Sequence, residues 1–527
     1  MSTMITLDRL EELTDADLAL PSAHELPRAP FRRRDTLMAS ETSSEVTTLG
    51  WDTTYALRVA DVNTVLRRSG SYPTDFEKVI DPNMNYGIKG KFGAWQIALG
   101  GSGGILFLSM PIPEGEMTSG GTKYSMANST AYISVKLKYI PQKPIRTAPS
   151  VAALAATNDA LEVDDLKVDT VDRSEVDPAV VVQNLVFSST PPPTYVRALM
   201  IGALQEWYNA NLVRFAYIFS TVSLNEVAAH KEFQWLKPTY TGYGYFDGTT
   251  PETSYFGVLC MTDNDSAEGL TNQLAPKSIP DGTRAGFNIA MSKYMEKVIL
   301  PGLSKGFPHA TTSSFKLRAN NTIIENTELI ECDKVSVNGI RYTPYIHNFT
   351  IQVVGDEIQL YTKTVINISP GIRSVVENTA YQTIIVVTKP DGKQTLDFKE
   401  TRPPRTSSYI DKDEWVTITE LIISIAGAVA GVVAGVVIKG VVKIIIACVI
   451  IAIVAGLAAA TPELIAKIAG GGAASALPPI DLLVLNATAP INWPGAESNF
   501  TLSKALLNGA FQLGGDPHIN TLSLQGA

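Results

Sequence analysis

The chain has 527 residues, with 43 Lys and Arg against 52 Asp and Glu, which gives a net charge of −9. This acidic balance argues against a partner bound through its phosphate backbone, so we expect no nucleic acid partner. The cysteines Cys260, Cys332 and Cys448 lie far apart without a C-x-x-C pair, which argues against a disulfide framework and a zinc cluster. A chain of this length requires two or three lobes or one elongated body.

The N-terminal residues 1–46 mix Pro, Ser, Thr and charges without a sustained period, which predicts a flexible tail. The first 22 residues are acidic and lack the apolar core of a secretory signal peptide. We therefore expect synthesis in the cytoplasm, and any release from the cell would use a non-classical route. Residues 47–527 are expected to form the body, with lobes at 47–295 and 296–527.

The first half of the body combines helical and strand patterns. Apolar residues at helical spacing, ended by Gly70, predict a helix over 53–68, and a second helix is predicted from Thr194 to Leu212. Between them, "STAYISVKLKYIP" alternates apolar and polar residues, as in a strand with one buried face. Residues 141–180, rich in Pro, Ala and Asp, predict a long excursion or linker, and "VRFAYIFSTVSL" predicts a further strand.

Hairpin signals dominate residues 320–400. Asn338-Gly339, Gly355-Asp356 and Pro390-Asp391-Gly392 each separate two apolar, β-branched runs. Long meandering strands with few helices between them are typical of antiparallel sheet. The sequence therefore predicts an α+β fold dominated by long antiparallel strands.

No constellation of catalytic or metal-binding residues is found in the sequence. The "GGSGG" at 100–104 matches the nucleophile pattern G-x-S-x-G around Ser102, but a strand follows where that device needs a helix, which favours a hairpin loop. The five histidines are scattered singly, with no H-E-x-x-H. We expect a protein that is not an enzyme and that needs neither cofactor nor metal.

An apolar run over 421–460 contains only two charges, Lys439 and Lys443. It fits either a membrane-inserting hairpin with the lysines at its tip or a helix enclosed by curved sheet inside a soluble protein. The interior hypothesis is favoured because each arm is short for a membrane span and no aromatic residue lies between 421 and 480. The spacing of Gly427, Gly431 and Gly435 predicts close packing of another backbone on this helix.

Several segments carry a family resemblance. They are "TLGWDTTYAL", "ANLVRFAYIFSTVSL", "WLKPTYTGYGYFDGTTPETSYFGVLCMT", "RAGFNIAMSKYMEKVILPGL", "INWP" and "LNGAFQLGGDP". They resemble the forty-seven-kilodalton accessory protein family of OrfX-type clostridial botulinum neurotoxin gene clusters, which is similar to the tubular lipid-binding superfamily. The resemblance implies an elongated fold in which a long, strongly curved antiparallel sheet wraps long helices, near 53–68 and 415–468 in this chain.

The resemblance also implies a lipid- or membrane-associating accessory protein that buries an apolar ligand between sheet and helix. The expected partners are lipid or phospholipid, a membrane surface, and other proteins of the same gene cluster. Two alternatives stay open, namely a protein-binding scaffold whose core is plugged by its own helix, and a membrane-inserting hairpin. The candidate residues lining the groove or core are Ile133, Val135, Leu137, Ile351, Val353, Ile358, Leu360, Ile425, Val429, Val432, Val436, Ile445 and Val449.

Overall fold

The computed structural model describes residues 45–70, 72–141, 163–168, 178–214, 219–223, 231–307, 309–470, 476–480, 483–484, 491–493 and 500–518. The predicted tail lies outside the described residues except for its last two. Most of the predicted excursion over 141–180 also lies outside them, as do residues 215–218 and 224 of the predicted "VRFAYIFSTVSL" strand. In the described part of that segment, Leu212–Arg214 is a 3-10 turn and Ser220–Ser223 is a strand.

The first fourteen strands contain most of the sheet of the N-terminal half. They are β1 (Thr53–Arg58), β2 (Asp75–Asp81), β3 (Tyr86–Lys91), β4 (Gln96–Ser102), β5 (Ile105–Ile112), β6 (Glu114–Ser119), β7 (Thr122–Ser125), β8 (Ser129–Pro141), β9 (Val163–Val168), β10 (Val180–Phe187), β11 (Ser220–Ser223), β12 (Pro238–Phe246), β13 (Tyr255–Thr262) and β14 (Ala285–Ala290).

The remaining strands include the longest ones. They are β15 (Phe315–Arg318), β16 (Ile323–Asn326), β17 (Ile330–Glu331), β18 (Val335–Val337), β19 (Ile340–Tyr342), β20 (Pro344–Val354), β21 (Glu357–Ser369), β22 (Ile372–Thr388), β23 (Gln394–Lys412), β24 (Ile491–Asn492), β25 (Thr501–Leu507) and β26 (Ala510–Asp516).

The α-helices are α1 (Val59–Ser69), α2 (Thr194–Ala210), α3 (Met291–Tyr294), α4 (Leu300–Gly306), α5 (Glu420–Val432), α6 (Lys439–Ala455) and α7 (Pro462–Ala469). Two π-helical segments, Met295–Ile299 and Val433–Ile438, join α3 to α4 and α5 to α6. Short 3-10 turns lie at Leu212–Arg214, Lys231–Leu236, Thr312–Ser314 and Leu457–Ala459.

The named strands pair antiparallel throughout. One six-stranded sheet has the order β12-β13-β1-β14-β26-β25, which brings the two ends of the body together. A second sheet has the order β24-β11-β9-β8-β5-β4 with β10 beside β8, and a third has the order β15-β16-β20-β21-β22-β23 with β17 beside β20. Two smaller sheets are formed by β18-β19 and by β2-β3-β6-β7. The predicted α+β fold, with long curved antiparallel sheet against helices, is confirmed.

The predicted helix over 53–68 is wrong in its first six residues. Thr53–Arg58 is the buried strand β1, which pairs with β13 on one side and β14 on the other, and α1 begins only at Val59. Tyr55 lies four residues before Val59 and so matched the helical period, but the central place of β1 in a sheet outweighed local spacing. Gly70, at φ +61°, ends α1 as predicted.

The three predicted hairpins are confirmed. Asn338-Gly339 joins β18 to β19, Gly355-Asp356 joins β20 to β21, and Pro390-Asp391-Gly392 joins β22 to β23. The glycines at these turns have positive φ, a conformation that glycine adopts without steric cost. Glycine-containing turn sequences therefore predicted the hairpins correctly. The "GGSGG" segment is likewise the end of the β4–β5 hairpin, so Ser102 is not at a strand-to-helix elbow.

The apolar run forms one continuous helix, Glu420–Ala455, rather than a hairpin. Thr419 caps its start by accepting a hydrogen bond from the Ile422 N–H, and Gly456, at φ +79°, ends it. The "KGVVK" segment has no proline and stays helical, with both lysines exposed. The predicted 415–468 helix is therefore wrong in two respects: the helix begins only at Glu420, after Thr419, and residues 456–461 separate it from α7.

Candidate functional site

The long helix Glu420–Ala455 consists of two halves in different surroundings. In α6 every residue from Ile445 to Val454 is at most 6 % exposed and lies in the main hydrophobic core. In α5 and the following π segment, only one side is buried. The C-terminal half therefore fills the interior, while the N-terminal half lies on the surface.

The buried side of α5 packs onto the long sheet. Val429, Ala430 and Val433 form a cluster with apolar residues of β18, β19, β21 and β22, including Ile366 and Val376. The Ser374 hydroxyl of β22 donates a hydrogen bond of 3.2 Å to the Ala426 carbonyl. These contacts fix the rotation of the helix and so decide which of its residues remain exposed.

The opposite side of this helix half is both exposed and apolar. Leu421 is 70 % exposed, Ile423 50 % and Val436 69 %. We use the term apolar face for the exposed residues Leu421, Ile423, Gly427, Ala428, Gly431, Gly435 and Val436. Between residues 421 and 436 the only polar side chain is Ser424. Exposed apolar surface of this continuity marks contact with a protein, a lipid surface or a ligand.

The segment before α5 adds an exposed aromatic residue at the end of the apolar face. Trp415 is 72 % exposed and lies beside the β21–β22 turn at Gly371. A side-chain carbon built on Gly371 would lie 2.8 Å from the Trp415 ring and 2.7 Å from Val416, and φ is +75° there, so glycine is required. Tryptophan, like tyrosine, favours the boundary between water and hydrocarbon.

Two lysines stand beyond the other end of the apolar face. Lys439 and Lys443 are exposed and one helical turn apart. Their aliphatic stems can follow an apolar surface while the ammonium groups stay in water. The apolar face is thus bounded by an indole at one end and by cations at the other, as in segments that lie in a membrane interface.

The structure places most of the predicted lining residues in the interior. Ile133, Val135 and Leu137 of β8 and Ile351, Ile358 and Leu360 of β20 and β21 are buried in the main core, and Val353 is partly buried against it. Ile445 and Val449 of α6 lie in the same core, whereas Val429, Val432 and Ile425 belong to the smaller cluster under α5. That any of them contacts lipid stays a prediction.

Two parts of the predicted site are wrong. Val436 does not line the core, because the π segment keeps it on the solvent side of the helix. Gly427, Gly431 and Gly435 do not pack against another backbone in the described part of the chain, since none of its heavy atoms outside the helix's own backbone lies within 4 Å of a side-chain carbon built on any of them. They belong to the apolar face instead.

The glycines that do pack closely against the long helix are Gly302 and Gly306 of α4. A side-chain carbon on Gly306 would lie 3.2 Å from Ile445, and one on Gly302 would lie 3.9 Å from Cys448. These glycines also have the G-x-x-x-G spacing, in "LPGLSKG". The sequence therefore contained the G-x-x-x-G spacing of the packing glycines, but in a short helix that has no long apolar run.

The described residues contain no group of three or more His, Cys, Asp or Glu placed to hold a metal ion. All three cysteines are buried and free, and burial raises the pKa of each thiol to about 12. Thiolate is the reactive form, so native cysteines are inert at neutral pH.

We expect a thiol reagent such as DTNB to leave the native protein unlabelled and to modify all three cysteines once denaturant is added. Absorbance of the released thiolate measures both states in one sample. Rapid labelling of one cysteine without denaturant would contradict its buried position.

The comparisons with known proteins identify the family. The OrfX-like family model, described as protein OrfX2/OrfX3/P47, matches residues 48–515. The chain belongs to the OrfX-like family. It is 27 % identical to the protein OrfX3 of Clostridium botulinum (strain Kyoto / Type A2), over 89 % of this chain and 98 % of OrfX3, and 26 % identical to the protein OrfX3 of Paraclostridium bifermentans, over 90 % and 98 %.

The fold is also that of a solved family member. The structure of P47 from Clostridium botulinum A2 superposes with a TM-score of 0.60, covering 90 % of this chain and 99 % of P47 at 16 % identity. P47 of Clostridium botulinum E1 gives a TM-score of 0.56, with coverage of 90 % and 100 %. The family resemblance seen in the sequence is confirmed.

Proposed function

We propose that this protein is a non-enzymatic, membrane-associating accessory protein, and that the apolar face and Trp415 are its contact with lipid. The observation that carries the proposal is the exposure of Leu421, Ile423 and Val436 on a helix whose other side is firmly packed. Its relatives OrfX3 and P47 support an accessory role beside other products of a toxin-type gene cluster, with those products as protein partners.

The contact is proposed to lie at the surface rather than in an internal groove. A lipid between sheet and helix would have to displace α6, whose residues Ile445–Val454 already occupy the core. Displacing them would expose apolar surface at about 25 cal/mol per Å². The apolar face needs no such rearrangement, because it is already in contact with water.

The geometry supports insertion to the depth of the headgroups. A helix held along a sheet presents its exposed side parallel to a membrane. Leu421 and Ile423 are two residues apart and lie on the two flanks of that side, so the surface between them would face the boundary region. Trp415 would lie at the same level, and Lys439 and Lys443 would remain in water. Synthesis in the cytoplasm and release by a non-classical route are part of this proposal.

Flotation with phosphatidylcholine vesicles tests the proposal. The wild-type protein should float with the vesicles, and the double variant Leu421→Ser/Ile423→Ser should bind at least about tenfold more weakly, because each fully inserted side chain contributes roughly 1.5–3 kcal/mol. The matched control is Val79→Ser/Leu329→Ser, which removes two aliphatic side chains that are 67 % and 57 % exposed elsewhere on the protein. The control should float like the wild type.

Equal flotation of both double variants would refute the apolar face as the lipid contact. A wild-type protein that stays unbound at every vesicle composition, but captures another protein of the gene cluster through Leu421 and Ile423, would favour the scaffold hypothesis instead. Mass spectrometry of an organic extract of the purified protein tests whether lipid is carried inside it. An internal carrier would retain stoichiometric lipid in both double variants.

A further inference from the structure

A surface cleft of about 520 Å³ lies in the N-terminal half, on elements separate from the apolar face. Its walls are the turn between β2 and β3, the β6–β7 hairpin, and the first two turns of α2. This volume is within the range of small-molecule sites, about 300–1,000 Å³. The cleft is large enough for a small ligand to be partly enclosed.

The lining of the cleft is polar but uncharged. The side chains that can both donate and accept hydrogen bonds are Asn83, Asn85, Ser119, Thr122, Tyr124 and Tyr195. Of these, the first five make no side-chain hydrogen bond to any part of the chain that the structure describes. No Asp, Glu, Lys or Arg is among the lining residues. The hydrogen-bonding capacity of these side chains is therefore available to a ligand.

The three walls are fastened to one another. The Tyr86 hydroxyl of β3 donates a 2.6 Å hydrogen bond to the Leu199 carbonyl of α2, and the Gly120 N–H donates to the Met84 carbonyl at 3.1 Å. In the first turn, the Asp81 carboxylate accepts from the N–H groups of Asn83 and Met84. A cleft braced in this way loses little conformational freedom on binding.

We infer that this cleft binds a neutral sugar. Each hydroxyl of a sugar both donates and accepts hydrogen bonds, as do the Asn, Ser, Thr and Tyr side chains here. The partly buried rings of Tyr124 and Tyr195 supply flat apolar surface for the C–H face of a pyranose. The lining residues offer a phosphate or carboxylate ligand no cationic side chain, and a purely apolar ligand would leave their amides and hydroxyls unpaired.

Saturation-transfer difference NMR on the full chain tests the inference with the methyl glycosides of glucose, galactose, mannose and N-acetylglucosamine. At least one should receive saturation. Asn83→Ala should weaken its binding about 3–10-fold through a lost hydrogen bond, and Tyr124→Ala should weaken it at least as much. The matched control is Tyr409→Ala, because Tyr409 is an exposed tyrosine on β23 outside the cleft.

If Tyr124→Ala fails to fold, Thr122→Val keeps the side-chain shape and removes only the hydroxyl, and it should weaken binding as Asn83→Ala does. No saturation of any of the four glycosides would overturn the inference. Saturation that Asn83→Ala and Thr122→Val leave unchanged would also overturn it. Because the cleft and the apolar face share no residue, vesicle flotation should be unaffected by either cleft variant.

Discussion

Replacing Val433 with Asp should destabilise the protein severely, whereas the same replacement at Val436 should leave its fold intact. The two residues are three positions apart on the same helix, but Val433 is 0 % exposed and Val436 is 69 % exposed. Val433 lies in the apolar cluster with Val335, Val337 and Tyr342, where a carboxylate would lose its hydration. We expect Val433→Asp to lower the free energy of unfolding by about 4 kcal/mol or more.

At Val436 the new carboxylate would stay in water, so the change in the free energy of unfolding should be within about 0.5 kcal/mol. Urea unfolding followed by circular dichroism measures both variants. Val436→Asp should also weaken vesicle flotation, because it places a charge on the apolar face. This variant therefore separates lipid contact from stability, and Val433→Asp does not.

An equal loss of stability in the two variants would show that Val436 is packed in solution. Val436→Ser serves as a matched control for the charge. It should fold normally and reduce flotation less than the aspartate does, because a hydroxyl is cheaper to bring to a lipid boundary than a carboxylate.

Local patterns predicted the sheet well. The alternation in β8 and the turns at Asn338-Gly339 and Gly355-Asp356 are properties of a few neighbouring residues. The strand β8 and the two hairpins that these patterns predicted are all present in the structure. The β1 segment was missed because pairing with β13 and β14, more than 190 residues away in the chain, decides its conformation. Such long-range pairing leaves no periodic signal of its own.

The candidate site was predicted only in part for a different reason. Composition identified the apolar helix, but Val433 and Val436 are chemically identical, and only packing against β22 makes one buried and the other exposed. The π segment Val433–Ile438 shifts the helical phase as well, so ideal spacing gives the wrong side. Amphipathicity cannot be read from a helix whose two sides are both apolar.

Replacing Lys293 with Met should cost about 3–5 kcal/mol in the free energy of unfolding, because it leaves a buried carboxylate without its cation. Lys293, at the start of α3, is 6 % exposed. Its ammonium lies 2.8 Å from Asp265, 3.3 Å from Asp263 and 3.5 Å from Asp52. Asp52 is 8 % exposed and also accepts hydrogen bonds from the Thr262 N–H and hydroxyl.

The loss should depend on pH because carboxylates surround Lys293, and Asp52 is the most buried of them. Burial raises the pKa of Asp52 above its ordinary value even with Lys293 beside it, and loss of the lysine removes an interaction that lowers that pKa. An acid whose pKa is raised by folding binds more protons in the folded state, so its ionisation lowers stability as pH rises through the unfolded and folded pKa values. The difference in the free energy of unfolding between Lys293→Met and the wild type should therefore become smaller as pH falls.

The double variant Asp52→Asn/Lys293→Met should recover part of the loss at neutral pH, because no buried charge remains. Asp263→Asn is the matched control, since Asp263 is 34 % exposed and also pairs with Lys297, and it should cost less than about 1 kcal/mol. Urea unfolding at several pH values measures all four proteins. A loss that is independent of pH and is not relieved in the double variant would mean that Lys293 acts through packing of its aliphatic stem rather than through its charge.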